Sequence, residues 1–218
     1  MRFQKYFFFF YVLMGILYLV ADAQATNTLR ILTKPLLVAT LLAYFVYGTG
    51  KPKSVFSLAI VGALFFSIVG DAALLFEGDL FFMMGLGAFL LAHLFYIRAF
   101  LWVQAQGGGM RFSPIASLFF LLFFVSLMSF FWQDLEDMRI PVLVYGLVIS
   151  LMGLSAYHLR GVVSNEIFLL IFIGALLFIF SDSMIAVEKF KHSTVALPYP
   201  RLFVMIPYLL AQLFLVEG

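Results

Sequence analysis

The chain consists of eight long apolar stretches, separated by short segments that hold most of its charged residues. Each stretch is about as long as the 20 residues that a helix needs to cross the hydrocarbon core of a bilayer. The strands of a transmembrane β-barrel are about half that length and alternate polar with apolar residues, which these stretches do not. The predicted spans are Tyr6–Val20, Arg30–Tyr47, Ser54–Phe76, Leu80–Val103, Ser113–Trp132, Ile140–His158, Glu166–Val187 and Arg201–Val216. The pattern predicts an all-α membrane protein, with one transmembrane domain of eight helices over residues 1–218.

The composition agrees with lipid as the main solvent of the chain. Of the 218 residues, 65% are hydrophobic and only 11% are charged. A soluble domain of this size could not cover its surface with so few charges, so an ordinary soluble enzyme is excluded. The net charge of +2, without a basic cluster, gives no support for nucleic-acid binding. The absence of cysteine excludes disulfides, thiolate metal sites and cysteine nucleophiles.

The charges between the spans predict the orientation of the chain. An even number of spans places both termini on the same side, and this side carries a small excess of Lys and Arg, while the opposite side holds most of the loop acids. The positive-inside rule therefore predicts that both termini are cytoplasmic, in the cell (inner) membrane. Arg2 and Lys5, followed by an apolar run and by Ala21–Ala25, also fit a cleavable signal peptide, which is the alternative for the first span.

Two short segments of similar sequence indicate an internal repeat. Phe89–Ile97 and Tyr208–Val216 share the residues Leu-Leu-Ala and Leu-Phe at equivalent positions. The third span of each half carries an aspartate after a small residue, at Asp71 and Asp182. These matches predict two four-helix repeats of the same orientation, residues 1–103 and 113–218, in which His93 corresponds to Gln212. Chance similarity in a chain of such biased composition is the alternative.

The two aspartates inside the spans are the principal candidates for chemistry. A carboxylate in a bilayer costs at least about 2.5–3.5 kcal/mol on insertion scales, so it is expected to have a partner or a function. Asp71 and Asp182 each lie five residues before the end of a predicted span, so both are expected at about 7–8 Å below the same surface. We expect them to face each other, with Gly70 and Ser181 leaving space for a ligand. One could then keep its proton as a general acid while the other acts as a base.

Further polar residues are predicted to support or to explain this pair. Lys34, Tyr145 and Tyr208 reach the same level, where they could orient the carboxylates or bind substrate; a structural ion cluster is the alternative. His93 and Gln212 are also predicted as residues that orient the carboxylates or bind substrate, by a buried polar contact between helices rather than as bases. The three histidines, His93, His158 and His192, share no helix face at ligand spacing, so no metal and no cofactor are predicted.

Several ordered motifs give the chain a resemblance to a known family. They are Lys34-Pro35, Ser67–Leu75, Gly85–Tyr96, Pro141–Tyr145 with Ser150–Met152, Gly174–Ser183 and Tyr208–Gln212. In this order they resemble the YhhN family of membrane proteins, which includes the lysoplasmalogenases. The resemblance implies eight helices and hydrolysis of the vinyl ether bond of lysoplasmalogens, without a metal, to a fatty aldehyde and a glycerophospho-head group. It also implies that Asp71 and Asp182 are the catalytic aspartates of the family.

Two functional hypotheses follow from these observations. The first is an intramembrane hydrolase of a lysophospholipid, in which the aspartates deliver a proton to carbon, stabilise an oxocarbenium-like cation and activate water. The second is a proton-coupled transporter of a lipid or small molecule, in which the same aspartates relay protons. Release of aldehyde distinguishes the two hypotheses. The sequence leaves the oligomeric state open.

Overall fold

The computed structural model describes residues 2–24, 26–50, 52–109, 112–191, 195 and 199–218. Within these residues it has eight α-helices and one short 3-10 turn, Glu136–Met138, but no β-strand. The helices are α1 (Arg2–Ala23), α2 (Asn27–Thr49), α3 (Val55–Ala73), α4 (Asp79–Gln106), α5 (Pro114–Phe131), α6 (Arg139–Tyr157), α7 (Asn165–Phe190) and α8 (Pro200–Glu217). All eight are long and apolar enough to cross a membrane. The predicted all-α architecture with eight spans is confirmed.

The ends of several helices are set by local sequence. Ser54 and Ser57 form a reciprocal capping box at the start of α3, which satisfies backbone N–H groups that have no partner inside the helix. Ser113 caps α5, where Pro114 occupies the first turn. Gly78 has a φ of +111° in the turn between α3 and α4, a conformation that glycine adopts without steric cost. These residues end or begin the helices at defined positions, so the connections before α3, α4 and α5 are short.

The described chain divides into two compact units, Met1–Ala99 and Phe100–Gly218, with the boundary inside α4. In the first unit α1 packs on α2, and α2 packs on α3. The first part of α4 packs on α3 at two glycines, where a Cβ on Gly62 or Gly70 would lie within 2.8 Å of the ring of Phe95 or Phe89, respectively. The absent side chains therefore allow the aromatic rings of α4 to lie against the backbone of α3.

In the second unit α5, α6, α7 and α8 pack on one another in chain order. Gly174 brings α7 close to α8, since a Cβ there would lie 3.2 Å from the carbonyl oxygen of Ala211. Where α5 ends and α6 begins, a buried cluster is formed by Met128, Phe131, Leu135, Val142 and Val187. This cluster holds together the ends of the three helices that carry the site described below.

Large apolar side chains are exposed on the outside of the helices. Ile115, Phe119 and Ile140 have 84%, 59% and 76% of their surface exposed. A water-soluble protein rarely exposes so many large apolar side chains, whereas lipid tails solvate them without cost. The chain is thus a multi-pass membrane protein.

Candidate active site

The first unit contains a buried ion pair between α2 and α3. The Nζ atom of Lys34 lies 3.6 Å from Oδ1 of Asp71, and both side chains are almost fully buried. An isolated charge would be costly in these surroundings, so each group provides the compensating charge for the other. The structure therefore brings together two residues that the sequence analysis placed at one level.

The surroundings of Asp71 differ from the expected open space. The ring of Phe89 fills the position beside Gly70, so the small residue serves helix packing there. Two buried tyrosines also belong to the first unit, Tyr11 on α1 and Tyr96 on α4, and Tyr11 lies near both Tyr96 and Asp71. Tyr11 was not predicted as part of the site. The sequence feature that could have identified it is a polar hydroxyl group inside an apolar span, directly after Phe7–Phe10.

The second unit contains a buried hydrogen bond between α6 and α7. The phenolic hydroxyl of Tyr145 donates a hydrogen bond to Oδ2 of Asp182, and both residues are buried. The hydroxyl is a neutral donor, in contrast to the ammonium group beside Asp71. The two carboxyl groups thus have different partners, a cation in the first unit and a phenol in the second.

A partly open cleft between α5, α6 and α7 adjoins Asp182. Its volume is about 30 Å³, and its lining residues are Leu127, Met128, Phe131, Val142, Tyr145, Gly146, Ile149, Ile179, Asp182, Ser183 and Ala186. The hydroxyl of Ser183 is used within α7, where it donates to the carbonyl of Ile179 at 2.7 Å. Apart from Tyr145 and Asp182, the cleft is therefore apolar in character. It can take a small group or a short portion of a hydrocarbon chain.

The opening of this cleft depends on Gly146. A Cβ at this position would lie 3.0 Å from Cε of Met128, so any larger residue narrows the space between α5 and α6. The sequence analysis expected the space beside Asp182 to come from Ser181 on the same helix. Instead Ser181 donates a hydrogen bond to the carbonyl of Val204 on α8, at 2.9 Å.

The expected equal distance of the two aspartates from their helix ends is wrong. Asp71 lies two residues before the end of α3 at Ala73, whereas Asp182 lies eight residues before the end of α7 at Phe190. The turn that contains Gly78 ends α3 earlier than the apolar pattern indicates, and α7 continues beyond Val187. Apolar length alone does not determine where a helix stops.

Of the other predicted residues, Tyr208 and Gln212 lie on α8 and His93 lies on α4. In α8 the Nε2 group of Gln212 donates to the hydroxyl of Tyr208 at 3.3 Å. The ring of Tyr208 lies edge-on to Phe178, with the centroids 5.5 Å apart. Phe178 is one turn before Asp182 on α7, so the ring of Tyr208 packs against α7 about one turn away from Asp182 along the helix. His93 is fully buried in α4, in the first unit.

The remaining histidines lie away from the aspartates. Nε2 of His158, which follows the end of α6, accepts a hydrogen bond from the backbone N–H of Ser113 at 3.3 Å. Partial burial lowers the pKa of His158 below its ordinary value. His192 lies outside the described residues. In the part of the chain that the structure describes, no three His, Asp or Glu side chains form a group that could hold a metal ion.

Comparison with known proteins identifies relatives over most of the chain. "Lysoplasmalogenase TMEM86B" of Mus musculus is 37% identical over 156 residues, which are 71% of this chain and 60% of the relative. The protein of the same name from Rattus norvegicus is 32% identical over 204 residues, or 92% of this chain and 76% of the relative. "Lysoplasmalogenase" of Mycobacterium tuberculosis is 32% identical over 162 residues, or 73% of this chain and 59% of the relative.

The chain thus spans about 60% of the length of the mouse and mycobacterial relatives. No solved structure matches it. The sequence profile of the YhhN family matches residues 29–218, which include both aspartates and both of their partners, Lys34 and Tyr145. On this match and on the similarity to the three relatives, the chain belongs to the YhhN family.

Proposed function

We propose that this protein hydrolyses the vinyl ether bond of lysoplasmalogens, with a lysophospholipid as substrate and membrane lipid as its surroundings. The observation that carries the proposal is the pairing of Asp182 with Tyr145 in an otherwise apolar cleft. Relatives named lysoplasmalogenase support this reaction. A carboxyl group beside apolar space inside the membrane is suited to a substrate that is mostly hydrocarbon.

The proposed reaction needs one proton donor and one water molecule. The proton is added to the outer vinyl carbon, which is the one not bonded to oxygen. This gives an oxocarbenium-like cation, whose positive charge is shared by the ether oxygen and the inner carbon bonded to it. Water attacks the inner carbon and loses a proton, which forms a hemiacetal. The hydroxyl group of the hemiacetal then loses its proton as the carbon–oxygen bond to the glycerol breaks, and the glycerol oxygen takes up a proton. The products are a fatty aldehyde and the glycerophospho-head group, so the overall reaction consumes one water.

In this proposal Asp182 delivers the proton to carbon. Its carboxyl group adjoins the cleft, and Tyr145 fixes one of its oxygens by hydrogen bonding, so the group is held in one orientation. The sequence-based hypothesis gives the role of proton donor to one of the two aspartates, and stabilisation of the cation and activation of water to the other, without saying which is which; with Asp182 as the donor, the second pair of roles falls to Asp71. Lys34 balances the negative charge that this role requires. Whether Asp71 takes part in the reaction is a prediction, which substitution tests.

Aldehyde release by the purified protein is the direct test. In detergent micelles that contain lysoplasmalogen, we expect aldehyde to appear in proportion to protein, and Asp182→Asn to reduce it by at least about 100-fold, the usual size of a general acid contribution. Lysophospholipid with an ordinary ester-linked chain is the control and should release no aldehyde. No observation favours the transporter hypothesis, under which neither lipid would be cleaved.

The orientation in the membrane is part of the proposal. The excess of Lys and Arg on the side of the termini supports cytoplasmic termini in the cell (inner) membrane. Tags at the two ends should then be inaccessible to protease added outside intact cells. Digestion of either tag without cell lysis would contradict this orientation.

A further inference from the structure

An unpaired arginine lies at the start of α6, on the helix that carries Tyr145. The guanidinium carbon of Arg139 lies 5.2 Å from the ring centroid of Trp132, and its Nε group donates to the carbonyl of Trp132 at 3.4 Å. Both side chains are exposed. Among the described residues, no carboxylate lies within ion-pair distance of Arg139. A planar cation held on an aromatic ring keeps its outer N–H groups available for an anion.

Lys191, a second cation near this end of α6, is already paired with a carboxylate. Nζ of Lys191, directly after α7, lies 2.5 Å from Oδ2 of Asp134 and 4.9 Å from the ring centroid of Phe130. Its charge is therefore balanced within the protein. Of these two cations at the same end of the second unit, Arg139 is the one that can recognise an external anion.

Arg139 lies on the same face of α6 as the cleft beside Asp182. The positions 139, 142, 146 and 149 follow the three- and four-residue spacing that aligns side chains along one face of a helix, and the last three line the cleft. Tyr145 is six positions after Arg139, which corresponds to about 9 Å along the helix axis. Trp132 follows Phe131, another residue of the cleft, so the Arg139–Trp132 pair borders the end of this apolar space.

This arrangement matches the order of groups in a single-chain ether phospholipid. Such a lipid has a hydrocarbon chain, an ether oxygen, a glycerol and a phosphate, in that order. The cleft offers apolar side chains, then Tyr145 and Asp182, then about 9 Å of helix, and then a guanidinium at the membrane surface. The flexible side chain of arginine can adjust its position to the length of a glycerol, and its planar fork suits two oxygens of a phosphate.

We propose that Arg139 binds the phosphate of a single-chain ether phospholipid whose ether group lies at Tyr145 and Asp182. This inference rests on the proposed function and adds to it the group that selects phospholipids over neutral ether lipids. Arg139 is a binding residue in this scheme and takes no part in proton transfer. Its loss should weaken recognition of the phosphate only.

The first test compares two substrates that differ in the phosphate. One is a 1-alkenyl lysophospholipid, and the other is the 1-alkenylglycerol with the same chain. We expect Arg139→Gln to lower the ratio of kcat/KM for phospholipid over alkenylglycerol by at least about tenfold, since hydrogen bonds between charged groups are among the strongest. The loss should appear mainly in KM, because the phosphate is bound equally before and during the reaction. Arg139→Lys should restore part of the ratio.

Arg160→Gln provides the matched control. Arg160 follows the other end of α6, is also exposed, and also contacts an aromatic residue, through a hydrogen bond from Nη1 to the hydroxyl of Tyr157 at 3.3 Å. It does not border the cleft, so its substitution should leave the ratio unchanged. The inference is overturned when Arg139→Gln leaves the ratio unchanged, or when Arg160→Gln lowers it as much.

A binding measurement separates this inference from the proposed hydrolysis. The chain has two tryptophans, Trp102 and Trp132, so a Trp102→Phe background leaves Trp132 as the single fluorescent reporter beside Arg139. A 1-O-alkyl lysophospholipid, which has no vinyl group to cleave, should change its emission in a saturable manner. The corresponding alkylglycerol, and inorganic phosphate at the same concentration, should not, and Arg139→Gln should abolish the response.

Each outcome of this measurement has a distinct meaning. A response that does not depend on the lipid phosphate, or that inorganic phosphate reproduces, overturns the inference even when aldehyde is released normally. A phosphate-dependent response in a protein that releases no aldehyde supports the inference while the proposed function fails.

Discussion

Tyr145 and Asp182 are joined by a hydrogen bond between neighbouring membrane-spanning helices, with the phenol as donor and the carboxyl group as acceptor. The bond crosses from α6 to α7 beside the apolar cleft, where little else is polar. Inside a membrane a hydroxyl and a carboxyl group must find partners in the protein, because lipid offers none. The same bond that provides a partner for both groups also holds Oδ2 of Asp182, and with it the orientation of the carboxyl group beside the cleft.

Removal of the phenolic hydroxyl should reduce activity without loss of the fold. Tyr145→Phe keeps the ring and deletes only the hydrogen bond, which is worth about 0.5–1.5 kcal/mol between a phenol and a protonated carboxyl group. We therefore expect aldehyde release to fall by about 2- to 10-fold, with at most a small loss of thermal stability in detergent. Tyr157→Phe is the control, because the hydroxyl of Tyr157 contacts Arg160 and not Asp182. Full activity of Tyr145→Phe would show that this bond does not position the carboxyl group.

The ion pair of the first unit allows a separate test of structure against catalysis. Asp71→Asn leaves the ammonium of Lys34 buried without its partner and should destabilise the protein by about 3–5 kcal/mol. Lys34→Met in the same chain removes the stranded charge and should restore most of this stability. Unfolding in mixed detergent, measured for both single variants and the double variant, gives the coupling between the two residues.

The double variant also decides the role of Asp71. If Asp71 takes part in the reaction, the chain with Asp71→Asn and Lys34→Met should fold but release at least about 100-fold less aldehyde. Hydrolysis at the original rate by a stable double variant would assign the ion pair to structure alone.

Much of this architecture follows from the sequence, because crossing a bilayer imposes a simple length requirement. The same physical argument singled out Lys34, Asp71, Tyr145 and Asp182, since polar groups within the spans need partners. The structure pairs them as Lys34 with Asp71 and Tyr145 with Asp182. A sequence without structure shows that such residues lie within a span, but neither their distance from the end of the helix nor the neighbour that each will face.

The details that were missed depend on how side chains fill space between helices. The ring of Phe89 occupies the gap beside Gly70, and the gap beside Asp182 arises from Gly146 on another helix. Both outcomes follow from the rotation of each helix about its axis and from the rotamers of its neighbours. The early end of α3 depends in addition on the turn at Gly78. None of these is encoded in the spacing of apolar residues alone.

The width of the cleft should control the lipids that the protein cleaves. Gly146→Ala places a methyl group 3.0 Å from Cε of Met128, so it should slow hydrolysis of long-chain substrates more than that of short-chain ones. Met128→Ala in the same chain removes the opposing group and should reverse the effect. Rates of aldehyde release for a series of chain lengths provide the measurement.

A second glycine serves as the matched control for this substitution. Gly87 also lies within a helix, but a Cβ there meets nothing within 4 Å. Gly87→Ala should therefore raise helix stability by up to about 1 kcal/mol and leave the dependence on chain length unchanged. An equal change in both variants would indicate a general effect of alanine on the helices rather than a narrowed cleft.

The contact between His158 and the start of α5 should make stability depend on pH. Nε2 of His158 accepts a hydrogen bond from the N–H of Ser113, which requires a neutral imidazole. Burial lowers the pKa of His158 below its ordinary value of 6.5, so the unfolded chain binds a proton more readily than the folded chain. Because stability rises with pH wherever the unfolded state binds more protons, this contribution is present above pH 6.5 and is lost as the pH falls below it.

Thermal unfolding in detergent between about pH 7.5 and about pH 5.5 tests this sign, since that range covers the titration of an ordinary histidine. The wild type should lose stability towards the lower pH, and His158→Gln should show a smaller loss because its side chain does not titrate. The neighbouring charged and polar groups, Arg160 and the hydroxyl of Tyr157, are the same in both proteins, so the difference between the two slopes isolates the contribution of His158. Equal slopes for the two proteins would show that the contact between His158 and Ser113 does not respond to protonation.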